Sequence, residues 1–117
     1  MTTNTNRPGA PKFVAYEVSI EIVASLRGPV ARIRRRSAKI ANQIVASASS
    51  ISANVLEGNR REGGDRTHFF RIAAGSADET RGHLHVAMTW GWVKQSDIER
   101  PLALIDRELG LLWGLTH

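Results

Sequence analysis

The chain contains no cysteine, a single tyrosine and four prolines, and each scarcity closes off a class of structure. Without cysteine there is no disulfide framework, no thiolate metal site and no redox pair. No apolar run approaches the ~20 residues that span a bilayer. The opening stretch from Met1 to Gly9 also lacks the apolar core of a secretory leader. Neither a membrane span nor a leader is therefore expected, and a cytoplasmic setting fits. Chemistry-bearing motifs are missing too. There is no glycine-rich phosphate loop, no nucleophile elbow, no recognisable carboxylate pair and no repeated Glu-x-x-His element of a di-iron bundle. His83 and His85 point to different faces of any helix, and Glu79 with His83 makes only half a metal site. No catalytic residue, metal ligand or cofactor is assigned, and the chain is read as non-enzymatic. The most pointed absence is of acid: from Ile22 to Leu56 there is no Asp or Glu at all.

What fills that gap is positive. Arg27, Arg32, Arg34, Arg35, Arg36 and Lys39 lie within it, and thirteen of the chain's sixteen bases are arginine. Planar guanidinium groups suit bidentate contact with phosphate or carboxylate better than lysine does. The overall formal charge of +5 is ordinary for 117 residues; its concentration is what carries information.

Apolar spacing predicts an all-α domain over 13–117, preceded by a loose tail over 1–12. A first helix from about Phe13 to Leu26 carries Phe13, Tyr16, Ile20 and Val23 on one face. Gly28-Pro29 reads as a break, since proline is poorly tolerated inside a helix. A second helix from about Val30 to Glu57 carries Ile33, Ser37, Ile40, Ile44, Ala48, Ile51 and Val55. Gly58 ends it in a left-handed turn, and Asn59 to Gly64 form a loop. Asp65 caps a third helix to about Trp92, with Phe69, Ile72, Ser76, Glu79/Thr80, His83, Ala87 and Trp90 inward. Its Gly75 and Gly82 suit close helix contact, and Trp90 reads as core. A short turn over 96–100 precedes a last helix opening at Pro101, in which Ile98, Leu102, Ile105, Leu109 and Leu112 form the stripe. Four such helices bury one another most simply as an antiparallel up-down-up-down four-helix bundle. The alternative is three main helices with the first segment as an arm on a neighbouring subunit.

Two blocks narrow this further. Gln43-Ile44 with Ser50-Ile-Ser-Ala-Asn-Val-Leu-Glu-Gly58, and then Phe69-Phe-Arg-Ile-Ala-Ala-Gly-Ser76 with Glu79, resemble the four-helix-bundle proteins first found as open reading frames in 23S rRNA intervening sequences. The likeness is strong over roughly 40–90. Asn54, Glu57, Gly58, Gly75, Ser76 and Glu79 fall on characteristic positions. Val45-Ala46 stands where the family has paired arginines, Ser52 where it has proline, and Arg81 where it has a second glutamate. More distantly, the chain is similar to the accessory proteins of diversity-generating retroelements, which form basic, barrel-like pentamers. The resemblance implies a homo-oligomer, a pentamer if it follows those accessory proteins, contact with RNA or DNA, and a protein partner such as a reverse transcriptase.

Two candidate sites follow. At helical spacing Arg32, Arg35, Arg36 and Lys39 gather on one flank of the second helix, and with Arg27 they form a candidate phosphate-binding surface. Ser50, Asn54 and Glu57 share a stripe of the same helix. Arg71, Ser76 and Glu79 of the third helix are expected to face them, giving a buried polar network with Glu57 beside Arg71. The leading reading is a non-enzymatic scaffold with a basic flank for nucleic acid; the other is a protein-binding or self-assembly module.

Overall fold

Four helices account for nearly all of residues 9–117, the part of the chain that the computed structural model describes. They are α1 (Pro11–Arg34), α2 (Ala38–Asn59), α3 (Gly63–Thr89) and α4 (Gln95–Thr116). The expected tail lies outside the described residues over 1–8; Pro11 and Lys12 instead open α1, and Lys12 is buried. The all-α class and the four-helix bundle are as the apolar spacing predicts.

The first boundary is not where expected. Helix α1 continues through Gly28-Pro29 to Arg34, so Ile33 belongs to α1 and not to α2. An interior proline costs about 3 kcal/mol. Against it stands a buried stripe of Ala15, Val18, Ile22, Leu26, Pro29 and Ile33, in which each large apolar side chain contributes roughly 1.5–3 kcal/mol. Burial of Leu26 and Ile33 on one continuous face outweighs the lost amide. The true break falls at Arg35–Ser37. There Ser37 adopts an extended conformation, and its hydroxyl accepts a hydrogen bond from the Ile40 amide at 3.1 Å.

Helix α2 follows its predicted face from Ile44 onward: Ile44, Ala48, Ile51 and Val55 are all buried. Gly58, however, has no left-handed conformation and sits inside the helix. Its role is close approach. A Cβ there would lie 2.5 Å from a ring carbon of Phe70, which is itself 0% exposed.

Helix α3 begins two residues before Asp65, which lies in the first turn, where its charge suits the helix dipole. Its inward face is Phe70, Ala73, Ala77, Thr80, Leu84 and Ala87; Thr80 and Ala87 are as expected, but at Phe69, Ile72, Ser76 and His83 the buried residue is the next one along. One residue is 100° of helix, so Ile72 and Glu79 turn to solvent. The cause is composition. Three of the inward positions are alanine, whose apolar signal is weak beside the neighbouring Phe69 and Ile72. Gly75 and Gly82 are not contact glycines either, since a Cβ at either would meet nothing within 4 Å.

Helix α4 also starts earlier than expected, at Gln95. The Asp97 carboxylate accepts the Lys94 amide at 2.8 Å, and Pro101 is carried inside the helix on its buried face. The sharp turn before it uses Gly91 at φ +79°, a conformation costly for residues with a Cβ.

Each helix packs on its two neighbours in the cyclic order α1, α2, α3, α4, so α1 lies against its own chain and is no free arm. Contacts run in opposite senses along adjacent helices. Lys12 meets Asn59 while Arg34 meets Asn42, and Ser47 meets Thr80 while Gly58 meets Phe70. For α1–α2 and α2–α3 this is the antiparallel order of an up-down bundle. The domain measures 53 × 22 × 19 Å, so its two ends are far apart.

Candidate nucleic-acid interface

Because α1 ends at Arg34, the basic residues do not lie on one helix flank. Arg32 and Arg34 occupy the last turn of α1, where positive charge favours the helix C-terminus. Arg35 and Arg36 lie in the connecting turn, and Lys39 in the first turn of α2. All five are exposed. The cluster exists, but at one end of the molecule and through a hairpin. Arg27 stands more than a turn back along α1, beside an apolar groove lined by Val23, Leu26, Val30, Ile44 and Val45.

The α3–α4 turn reaches the same end. Arg32 approaches Asp97 at 3.4 Å, and Arg32, Arg35, Arg36 and Trp92 together line an open depression of about 320 Å³. Arg34 donates to the Asn42 side chain at 2.7 Å. Among the described residues Arg27, Arg35, Arg36 and Lys39 have no carboxylate partner. Trp92 is half-buried against the core, whereas Trp90 is 70% exposed. Trp90 is therefore not the core residue expected. It follows the last helical residue of α3, and Val93, beyond the Gly91 turn, takes the buried position instead. Trp113 is exposed as well, on α4.

The expected polar network is only partly assembled. The Ser50 and Ser76 hydroxyls meet at 2.8 Å across α2 and α3, and the Asn54 amide donates to the Ser50 carbonyl and hydroxyl at 2.8 and 3.0 Å. Glu57, Arg71 and Glu79 stay outside it. Glu57 is half-exposed and pairs with Arg61 of the α2–α3 connection at 3.5 Å, a contact worth ~0–1 kcal/mol. Arg71 is exposed, and Glu79 reaches no nearer than 3.9 Å to His83. The one-residue rotation of α3 accounts for both. A second hydroxyl pair joins α2 and α3, the buried Ser47 and Thr80 side chains 2.7 Å apart; Thr80 is expected inward, but Ser47 is not part of the expected network. Arg81, at the departure from the family's glutamate, pairs with Asp78 and, at 3.2 Å, with Asp106 of α4.

A further group was missed. Glu108 occupies the buried stripe of α4 between Ile105 and Leu112, is 0% exposed, and neither carboxyl oxygen has a hydrogen-bond partner among the described residues. Burial pushes its pKa up to about 8, with Arg107 acting weakly in the other direction. Its spacing, three after Ile105 and four before Leu112, was the available signal. No group of three or more potential metal ligands occurs among the described residues.

The family model for the 23S rRNA-intervening sequence protein matches residues 13–114, which takes in all four helices almost whole. The chain belongs to that family. Its fold is also that of a solved structure described as a protein of unknown function from the S23 ribosomal protein family of Bacteroides thetaiotaomicron VPI-5482. The two share 19% identity over 91% of this chain and 97% of the other, with a TM-score of 0.82. A comparison with curated proteins finds no match. Set against the family pattern, the intervening-sequence fold here gathers Arg35, Arg36 and Lys39 without carboxylate partners among the described residues at the α1–α2 hairpin, while Val45, one of the positions of the paired arginines, lines the apolar groove.

Proposed function

We propose that this protein is a non-enzymatic, cytoplasmic, self-assembling helical scaffold whose basic end contacts nucleic acid. The observation that carries this is the gathering of Arg32, Arg35, Arg36 and Lys39 at one hairpin, three of them without a carboxylate partner among the described residues. Unpaired arginines held within a few residues of one another suit successive phosphates, and their binding is expected to be governed by salt. Replacing all four by Glu tests it. The parent should bind nucleic acid with log affinity falling against log salt at a slope of roughly −3, and the variant should lose retention while keeping its helical circular dichroism. A parent without salt-dependent retention would refute the proposal.

Self-assembly is supported by a separate feature, the groove between α1 and α2. Val23 and Val45 are exposed there beside Leu26 and Val30, an apolar surface suited to a second copy of the chain. Placing a charge in it with Val45→Glu should lower the molar mass measured by light scattering toward that of a single chain. An unchanged mass would remove the groove from the interface. Assembly without any nucleic-acid retention would favour the protein-binding reading.

A further inference from the structure

We propose that the basic end takes single-stranded nucleic acid, an unpaired base stacking on Trp90 while Arg32, Arg35 and Arg36 hold the adjoining phosphates. This rests on the nucleic-acid contact argued above and adds the class of strand. The indole of Trp90 stacks on that of Trp92, with ring centroids 6.0 Å apart and planes 12° from parallel. Trp92 lies half-buried in the wall of the arginine depression, so the stack runs outward from the basic surface. With Trp90 70% exposed, most of its indole stays open to solvent beyond that offset stack.

The backbone beneath is well held. The amides of Trp90, Gly91 and Trp92 donate to Val86, Met88 and Ala87 at 3.0, 2.9 and 3.0 Å, and Gly91 supplies the left-handed turn between the two indoles. Arg32 is steadied by Asp97 across the same corner. An aromatic platform beside a cationic track is the combination that single strands need, because every base offers a π-face once it leaves a duplex. A duplex offers such a surface only sugar and phosphate, which the arginines serve and the open indole does not.

The test compares the full chain's affinity for a short labelled RNA, for the DNA of the same sequence, and for each annealed to its complement. Trp90→Ala, Trp90→Phe and Trp113→Ala are measured alongside. Trp90 is exposed enough that its loss leaves the core untouched. The parent should prefer single strands of either sugar and show quenched tryptophan fluorescence on binding them. Trp90→Ala should lose roughly 5- to 100-fold in single-strand affinity with duplex affinity unchanged. Trp90→Phe should recover most of the loss, and Trp113→Ala should bind like the parent. Equal, salt-dependent binding of single and double strands would overturn the single-strand assignment and leave the basic interface standing. Unchanged single-strand affinity in Trp90→Ala would overturn it too, and a shift in molar mass in that variant would mark Trp90 as an assembly contact. Absence of binding to every probe would remove both proposals.

Discussion

Glu108→Met should unfold ~10 °C or more above the parent at pH 7, an unusually large gain for one substitution. Glu108 is 0% exposed and unpartnered among the described residues, and its pKa is pushed up to about 8. At neutral pH it is therefore held protonated, whereas the unfolded chain has it ionised. At 1.36 kcal/mol per unit that difference costs the folded state about 3 kcal/mol. The uncharged acid still lacks hydrogen bonds, which adds ~1 kcal/mol or more. Methionine has a similar shape and no polar group to desolvate. In a domain of this size each kcal/mol moves the melting temperature by roughly 4 °C.

The same carboxyl makes a pH dependence with a definite sign. Below about pH 4.5 it is protonated in both states, and its contribution to stability is complete. Between there and pH 8 the unfolded chain has released a proton that the folded chain keeps, so stability falls as pH rises. The total loss is on the order of 4 kcal/mol. Urea unfolding of parent and Glu108→Met from pH 5 to 8 should show a gap that widens with pH. A constant gap would mean that Glu108 is ionised or paired in the folded protein.

Gly58→Ala should destabilise the domain by about 2 kcal/mol, in the range for overpacking a core. Helix propensity alone points the other way, since alanine is favoured over glycine in a helix by about 1 kcal/mol. The contact decides the sign: the added Cβ would lie 2.5–3.1 Å from three ring carbons of Phe70, whose ring is wholly buried and has little room to move. Phe70→Leu should also destabilise, by removing core volume. Combined with Gly58→Ala it should cost clearly less than the two single losses together, because the smaller side chain vacates the clash. If Gly58→Ala proves neutral or stabilising, the close approach of α2 to α3 is looser than the structure has it.

That glycine shows how local signals were readable while their meaning was not. A Glu-Gly pair at the end of an apolar stripe suggests a helix terminus, and α2 does end one residue later, at Asn59. Gly58 is nonetheless required by a side chain twelve positions away. Gly28-Pro29 misled for a related reason. Proline weakens a helix locally, but the stripe Leu26, Pro29 and Ile33 is continuous only if α1 passes through it. The displaced boundary relocated Arg32, Arg35, Arg36 and Lys39 from one helix flank to a hairpin and left Arg27 back along α1; the basic cluster survived because its residues are near one another in the chain. The Glu57–Arg71 pair did not survive. It depended on the rotational phase of α3, and alanine-rich faces leave that phase almost unmarked.

The apolar spacing of α2 and α4, the acid-free basic stretch and the two family-like blocks were enough to determine the all-α class, the four-helix bundle and the family. These are properties of near neighbours and short periods, which the chain carries wherever it lies. Only the tertiary structure decided which way α3 turns, that Trp90 faces outward on the stack with Trp92, and that Glu108 is enclosed without a partner among the described residues. Each depends on what a second helix places opposite the residue, a distance in space that no spacing along one helix encodes.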